Sequence, residues 1–159
     1  MAAKDFFLKL DGIDGESGDS AYKNHIELES WSWGESQSGT FAGGGGGGAG
    51  KVSMQDFHFV MTVNKASPKL ILACATGQHI PKAELFCRKA GDGQQMYLKY
   101  TFSDCLVSSY QTGGSSLLPT DQISINFAKI EVEYKEQKSD GSLGGTIKVG
   151  YDLKANKKV

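Results

Sequence analysis

Apolar and polar residues alternate along three segments of the chain. Apolar residues occupy every second position from Ile147 to Leu153, from Met96 to Phe102 and from Ile123 to Phe127. Because successive side chains of a strand point to opposite faces, each segment is predicted to be a strand with one buried face. Further strands are predicted over 6–10, 22–34, 52–63 and 83–88, with short turns at 91–93 and 139–141.

The apolar phase changes within three of the predicted strands. It passes from even to odd positions between Leu28 and Trp31 and again between Met54 and Phe57, and from odd to even after Phe127. A phase change moves the apolar set to the other face of the strand. Either a β-bulge inserts one residue, or the strand leaves one sheet and enters a second. Both predict long, coiled strands in a barrel or sandwich, part of whose outer surface meets a partner.

One segment has the pattern of a short helix. Ser67 suits the N-cap, Pro68 the first helical position and Gly77 a left-handed C-terminal cap. The pairs Leu70 with Cys74 and Ile71 with Ala75 have i, i+4 spacing. A helix of about nine residues is too short to be stable alone, so it is expected to pack on the sheets.

The charge balance argues against nucleic-acid binding. The 159 residues include 17 lysines and arginines and 18 aspartates and glutamates, and Arg88 is the single arginine. A nucleic-acid binder needs a basic face, on which arginine is the usual bidentate ligand for phosphate. The length predicts one domain over 1–159. The cysteines Cys74, Cys87 and Cys105 are expected to be reduced and packed in the core.

No apolar run approaches the roughly 20 residues that span a bilayer. The short run Phe6 to Leu8 lacks the apolar core of a signal peptide. The chain is therefore expected to fold in the cytoplasm without inserting into a membrane, and any export must use another route.

The segment from about 37 to 50 is rich in serine and glycine, with six consecutive glycines from Gly43 to Gly48. This composition is typical of a flexible surface loop, although loops of this length are often functional. Gly45 to Lys51 fits G-x-x-x-x-G-K, the pattern of a phosphate-binding loop. Such a loop requires serine or threonine where Val52 stands, and a helix where a strand is predicted. Nucleotide hydrolysis with Lys51 is thus disfavoured.

Other catalytic and metal-binding patterns are missing from the sequence. The histidines His25, His58 and His79 lack the spacing of zinc ligands, and no G-x-S-x-G nucleophile motif occurs. Asp11 to Gly15 fails as a calcium loop because Ile13 and Gly15 occupy ligand positions. Neither a catalytic function nor a cofactor is expected.

The chain contains several short motifs, and their order along the sequence is more specific than any single motif. They are Phe7-Leu8-Lys9, Gly12-Ile13-Asp14-Gly15-Glu16-Ser17, Trp31-Ser32-Trp33-Gly34, Ala49-Gly50-Lys51-Val52, Gln55-Asp56-Phe57, Lys65-Ala66-Ser67-Pro68, Cys74-Ala75-Thr76-Gly77, Ile80-Pro81-Lys82-Ala83, Arg88-Lys89-Ala90-Gly91, Asn126-Phe127-Ala128-Lys129 and Val132-Glu133-Tyr134. In this order they closely resemble the haemolysin-coregulated protein (Hcp) family, the tube protein of bacterial type VI secretion, over essentially the whole chain.

The resemblance implies an all-β fold with one short helix. Two antiparallel sheets would form a compact β-barrel similar to that of phage tail tube proteins. It also implies hexameric rings that stack into a hollow tube, with a spike protein at the tip and a contractile sheath that propels it into a target cell. Small effector proteins would travel in the lumen, so that the protein is secreted through the apparatus.

Candidate contact residues follow from the pattern and the resemblance together. Since Trp31 and Trp33 share one face, Ser32 points to the other, where it meets the ring lumen, a neighbouring subunit or solvent. The glycine-rich loop resembles the family's extended loop, which contacts an adjacent subunit or ring. The candidates for that loop are Phe41, Gly43, Gly44, Gly45, Gly46, Gly47 and Gly48, and those for a stacking face are Gly91, Asp92, Gly93, Lys157 and Lys158.

One loop departs from the family pattern. Where a polar, charged segment is common, this chain has Leu117 and Leu118, which either mark a contact surface or tuck into the barrel. The alternative to a tube subunit is a monomeric all-β binding module, for example for carbohydrate, because a fold alone does not specify function. Oligomeric state separates the two, since a tube subunit must bury a heterologous interface on each side.

Overall fold

The computed structural model describes residues 5–39, 49–89, 95–115 and 117–159. Within these ranges the chain is mostly β-strand, with one helix between the sixth and seventh strands. The elements in order are β1 (Asp5–Leu10), β2 (Ile26–Glu27), β3 (Ser30–Ser32), β4 (Glu35–Gly39), β5 (Ala49–Met54), β6 (Phe57–Thr62), α1 (Ala66–Thr76), β7 (Ile80–Arg88), β8 (Met96–Gly113), β9 (Thr120–Asn126), β10 (Lys129–Gln137), β11 (Leu143–Asp152) and β12 (Lys157–Lys158).

The strands form two antiparallel sheets that share β8. The first sheet has the order β12-β11-β10-β8-β7-β1-β2. The second sheet has the order β3-β6-β9-β8. Strands β4 and β5 pair separately as a two-stranded ribbon, which we call the arm. The all-β class with one helix and two antiparallel sheets is confirmed, whereas closure into a barrel stays a prediction.

Strands that change sheet explain the changes of apolar phase. β2 pairs with β1 in the first sheet, whereas β3 pairs with β6 in the second. β5 belongs to the arm and β6 to the second sheet. β9 belongs to the second sheet and β10 to the first. The predictions of single strands over 22–34 and 52–63 are therefore wrong, because each segment serves two sheets with opposite faces inward.

Strand β8 makes the same change without ending. Its residues up to Cys105 pair with β7, and those from Leu106 onward pair with β9. Asp104, two residues before Leu106, has φ 56°, in the left-handed region that only glycine, asparagine and aspartate adopt readily. Its carboxylate accepts from His79 Nε2 at 3.1 Å. A single strained residue thus turns the strand from one sheet to the other.

Aromatic side chains fill the space between the sheets. Phe57 of the second sheet and Phe102 of the first are fully buried, with ring centroids 4.8 Å apart. Trp31 and Trp33 are half-buried and both pack on Tyr100. Their shared inward orientation leaves Ser32 exposed on the other face, as the alternation predicts.

All three cysteines are free, as predicted. Cys87 and Cys105 are buried and Cys74 is half-buried. Burial raises the pKa of Cys87 and of Cys105 to about 12, so both remain protonated thiols at neutral pH.

The helix ends as predicted but begins earlier. Gly77, at φ 66°, donates its N–H to the carbonyl of Ala73. Ser67 is not the N-cap, because it lies within the first turn of a helix of 11 residues that starts at Ala66. Asn64 closes that turn instead, since its Oδ1 accepts the N–H of Ala66 at 2.8 Å. Ser67 Oγ in turn accepts the backbone N–H of Asn64 at 3.0 Å.

The last long strand departs most from the sequence prediction. Alternation predicts that Ile147 and Val149 lie on a buried face, but these side chains are 66% and 63% exposed. They stand opposite Tyr134 and Val132 of β10, on the face that carries the core residue Ile130. The first sheet extends past the region that the second sheet covers, so its apolar face continues into the open.

Candidate functional site

The outward face of the second sheet is polar and nearly free of charge. Alternate residues of β6 and β9 point into the core, and those between them point outward. Although 22% of the chain is charged, no lysine, arginine, aspartate or glutamate lies among the outward residues of its described strands. These residues are Ser30, Ser32, His58, Val60, Thr62, Leu106, Ser108, Ser109, Gln111, Thr120, Gln122, Ser124 and Asn126. We call them the neutral face.

Ser32, His58 and Ser124 form one row across the neutral face. Ser32 is the register partner of His58, which is in turn the partner of Ser124. His58 Nδ1 lies 3.1 Å from Ser124 Oγ, which fixes the imidazole against the sheet. His58 is the only residue of the neutral face with an ionisable side chain. The sequence excluded His58 only as a zinc ligand and gave no indication of these neighbours.

Two carboxylates border the neutral face, and both have hydrogen-bond donors. Asp56 accepts from Ser108 Oγ at 2.6 Å and from Asn126 Nδ2 at 2.9 Å. Glu29 accepts from Thr62 Oγ1 at 2.6 Å. Both charges are held by groups of the face itself, so they contribute to its order at opposite ends of β6.

The second sheet has an open edge on each side. Among the described residues, β3 pairs only with β6, and the part of β8 after Cys105 pairs only with β9. An open edge presents unpaired backbone N–H and C=O groups and readily adds another strand. The neutral face therefore lies between two edges that are each suited to strand addition.

A groove of about 590 Å³ lies beneath the arm, on the core side of the second sheet. Val52 and Met54 of the arm line one wall, and Val132 and Val149 of the first sheet line the other. Trp33, just after β3, closes the inner end. The groove therefore starts at the β3 edge. Apolar residues of the first sheet that the core leaves uncovered line it.

Trp33 carries a buried donor without an acceptor. Its indole Nε1 is inaccessible to solvent and makes no hydrogen bond among the described residues. Leaving such a group unsatisfied costs about 1–3 kcal/mol. The groove thus offers apolar surface, and the unsatisfied donor lies behind it.

A buried polar pair holds the helix against the second sheet. Ser67 Oγ donates to Asp121 Oδ2 at 2.6 Å, and Asp121 is fully buried. The other oxygen, Oδ1, has no partner among the described residues. The pair ties the first turn of α1 to β9, in addition to the packing of Leu70 and Ala73 in the core.

Arg88 holds the loop after β1 at the end of β7. It donates to both carboxylate oxygens of Asp19, at 3.0 and 2.7 Å, and to Asp5 at 3.1 Å. Its guanidinium also lies 5.0 Å from the ring centroid of Phe7 and 5.5 Å from that of Tyr22. The hydrogen bonds from Arg88 lower the pKa of Asp19 to about 2. The single arginine of the chain is therefore a structural clamp.

Most of the predicted assembly residues fall outside the described ranges. Only the ends of the segment 37–50 are described, and they pair as the arm. Lys157 and Lys158 form β12, are exposed and pair with Asp152 and Tyr151. The candidates outside the described residues are Phe41, Gly43, Gly44, Gly45, Gly46, Gly47 and Gly48 of the loop and Gly91, Asp92 and Gly93 of the turn.

Leu117 and Leu118 do not tuck between the sheets. They are 85% and 74% exposed, in the turn between β8 and β9. This excludes the interpretation in which the pair packs inside the barrel of the same subunit. In the described structure both side chains are therefore accessible to a partner.

The described residues contain no cluster of metal-binding side chains. No group of three or more histidine, cysteine, aspartate or glutamate residues within those ranges is arranged to hold a metal ion. Lys51 lies in β5, in extended backbone, instead of preceding a helix N-terminus. No helix in the described part of the chain is long and apolar enough to cross a bilayer.

Comparison with known proteins supplies the family. The family model described as "Type VI secretion system effector, Hcp" matches residues 7–134. The chain belongs to the Hcp family. It is 47% identical to the Hcp1 protein of Pseudomonas aeruginosa over 158 residues, which cover 97% of this chain and 98% of that protein.

Solved Hcp structures share the whole fold. The crystal structure of Hcp1 from Salmonella typhimurium is similar with a TM-score of 0.83 and 40% identity, over 99% of this chain and 100% of that one. A type six secretion system protein is similar with a TM-score of 0.93 and 33% identity, with the same coverage. The Hcp family is a family of type VI secretion tube proteins and not of enzymes.

Proposed function

We propose that this Hcp protein forms hexameric rings that stack into the hollow tube of a type VI secretion apparatus. The neutral face lines the lumen, and the two open edges of the second sheet join neighbouring subunits. The observation that carries the proposal is the position of a charge-free polar face between two unpaired strand edges. It goes beyond the family assignment because it states which surface does what.

The open edges support a ring. In a head-to-tail association, the β3 edge of one copy meets the β8 edge of the next, so that every edge gains a partner when the ring closes. Unpaired edges otherwise promote uncontrolled aggregation, which closure prevents. Repetition of the second sheet around the ring then gives one continuous wall.

The composition of the neutral face suits a channel for varied proteins. Hydroxyl and amide groups form hydrogen bonds to many surfaces, whereas a fixed charge would attract some cargoes strongly and repel others. Ser32 lies in the row with His58 and Ser124, where we propose that it contacts small effector proteins in the lumen. The chain therefore acts as a carrier of effectors without catalysis.

Stacking and movement of the tube complete the proposal. We assign ring-to-ring or subunit contacts to the loop of Phe41 and Gly43 to Gly48, and stacking to the turn 91–93 and the exposed pair Lys157 and Lys158. A spike protein sits at the tip and a contractile sheath drives the tube outward. The protein folds in the bacterial cytoplasm and leaves it through the apparatus.

Negative-stain electron microscopy of the purified protein tests the ring. The expected result is six-fold rings with a central hole, supported by a hexamer in native mass spectrometry. Monomers at every concentration over a wide range would overturn the proposal, and the protein would then be better described as a monomeric all-β binding module.

A further inference from the structure

Helix α1 is apolar on two sides. Leu70 and Ala73 pack into the core. On the opposite side, Pro68, Ile71, Leu72 and Ala75 follow the i, i+3, i+4, i+7 spacing of a second apolar stripe. Ile71 is 50% exposed and Leu72 is 61% exposed. Lys69 and Thr76 are exposed between the two apolar sides, so the second stripe is a separate apolar surface of a kind that is suited to a partner.

The groove beneath the arm is a surface of complementary shape. It is concave, and its floor carries exposed apolar residues, chiefly Val149. Its inner end holds the indole N–H of Trp33, which has no acceptor among the described residues. The buried N–H is out of reach of an occupant, so the groove is suited to a purely apolar segment.

The topology places these two surfaces at opposite edges of the same sheet. α1 packs against β8, on the core side of the second sheet. The groove begins at Trp33, directly after β3, also on the core side. If the β8 edge of one copy meets the β3 edge of the next, α1 of the first copy lies on the same side as the groove of the second and next to it.

We infer that the second apolar stripe of α1 docks in the groove of the neighbouring copy. The occupant of the groove is thus a second copy of this chain, and the contact is heterologous, with a different surface contributed by each partner. The inference rests on the proposed ring and specifies its outer contact. In the docked state Val149 is covered by the helix.

Two substitutions test the contact, and each one disrupts only one of the two surfaces. Leu72→Glu places a carboxylate on the stripe but leaves the groove intact, whereas Val149→Glu blocks the groove but leaves the stripe intact. Both residues are largely exposed, so neither change disturbs the core. Native mass spectrometry is expected to show monomers for each variant alone, with unchanged circular dichroism. An equimolar mixture is expected to form heterodimers, because one good contact exists between the two variants.

Matched controls carry the same added charge elsewhere. Thr146→Glu changes an exposed residue of β11 on the face opposite Val149, and Ser20→Glu changes an exposed loop residue outside both surfaces. Both controls are expected to form rings. Rings formed by Leu72→Glu or Val149→Glu, no heterodimer in the mixture, or loss of rings in a control would each overturn the helix-to-groove contact. Monomeric wild-type protein would instead overturn the proposed function, so the two failures are distinguishable.

Discussion

Ser67 and Asp121 are joined by a 2.6 Å hydrogen bond between the first turn of α1 and strand β9. The bond is completely enclosed, and it links residues 54 positions apart in the chain. Because α1 carries the stripe that we assign to the neighbouring subunit, this bond determines where that stripe is presented.

Removal of the Ser67 hydroxyl is expected to destabilise the subunit. Ser67→Ala leaves Asp121 buried without its donor, which costs about 1–3 kcal/mol in the free energy of unfolding. Asp121→Asn in the Ser67→Ala background is expected to cost less than in the wild type, because the partner is already lost. A double-mutant cycle from urea unfolding at one protein concentration measures the coupling, expected at about 0.5–3 kcal/mol. Simple additivity would contradict the role of the bond.

Replacement of Ser32 with glutamine is expected to reduce cargo retention while rings persist. The longer side chain stands beside His58 on the neutral face and obstructs the surface that we assign to effectors. Co-purification of an effector with the rings measures retention, and electron microscopy checks the rings. Ser20→Gln, at an exposed loop residue away from that face, is the control. Unchanged effector recovery with Ser32→Gln would remove Ser32 from the lumen contact.

The clamp around Arg88 predicts a dependence of stability on pH. The pKa of Asp19 is about 2 in the folded chain, against an ordinary value of 3.8, because Arg88 donates to the ionised carboxylate. A lowered pKa in the folded state stabilises the protein above pH 3.8, and this contribution is lost as the pH falls toward 2. Allowing for solvent screening, the contribution is about 1–2 kcal/mol.

Asp19→Asn is expected to remove that part of the acid dependence. Urea midpoints between pH 6 and pH 2 are compared for the wild type, for this variant and for Asp14→Asn, which alters an exposed carboxylate outside the clamp. The Asp19 variant should be less stable at pH 6 and approach the wild type near pH 2. Parallel curves for the wild type and Asp19→Asn would argue against the ion pair.

The left-handed conformation of Asp104 predicts that glycine is tolerated better than valine at this position. A β-branched residue at φ 56° is strained, so Asp104→Val should be less stable than Asp104→Gly by about 1–2 kcal/mol. At Ser103, which is paired in extended β8, the order should reverse because valine favours strands and glycine weakens them. Thermal unfolding of the four variants provides the comparison. The same order at both positions would mean that Asp104 does not turn the strand.

Much of the fold follows from local patterns in the sequence. Alternation locates β9 and the first part of β8, and Gly77 marks the helix end because few other residues adopt a left-handed cap. The sequence also indicates part of the neutral face, since the polar positions of β6 and β9 lack charged residues. His58 could have been assigned to it on that signal.

Other features depend on contacts between distant residues. Alternation alone left open whether a phase change means a bulge or a change of sheet, because both shift the apolar set by one position. Only the pairing of β2 with β1 and of β3 with β6 decides that the strand changes sheet. The helix N-terminus was likewise misplaced because the Asn64 side chain closes the first turn, while Ser67 bonds to Asp121.

By itself, the sequence determined the all-β class, the helix and the family, because these depend on short-range patterns and on the order of motifs along the chain. The tertiary structure alone decided which apolar residues are covered. Ile147 and Val149 alternate like core residues, yet they lie beyond the edge of the second sheet. Periodicity shows that one face of a strand is apolar. Whether that face is buried depends on how far the opposing sheet extends and on which neighbouring surface packs against it.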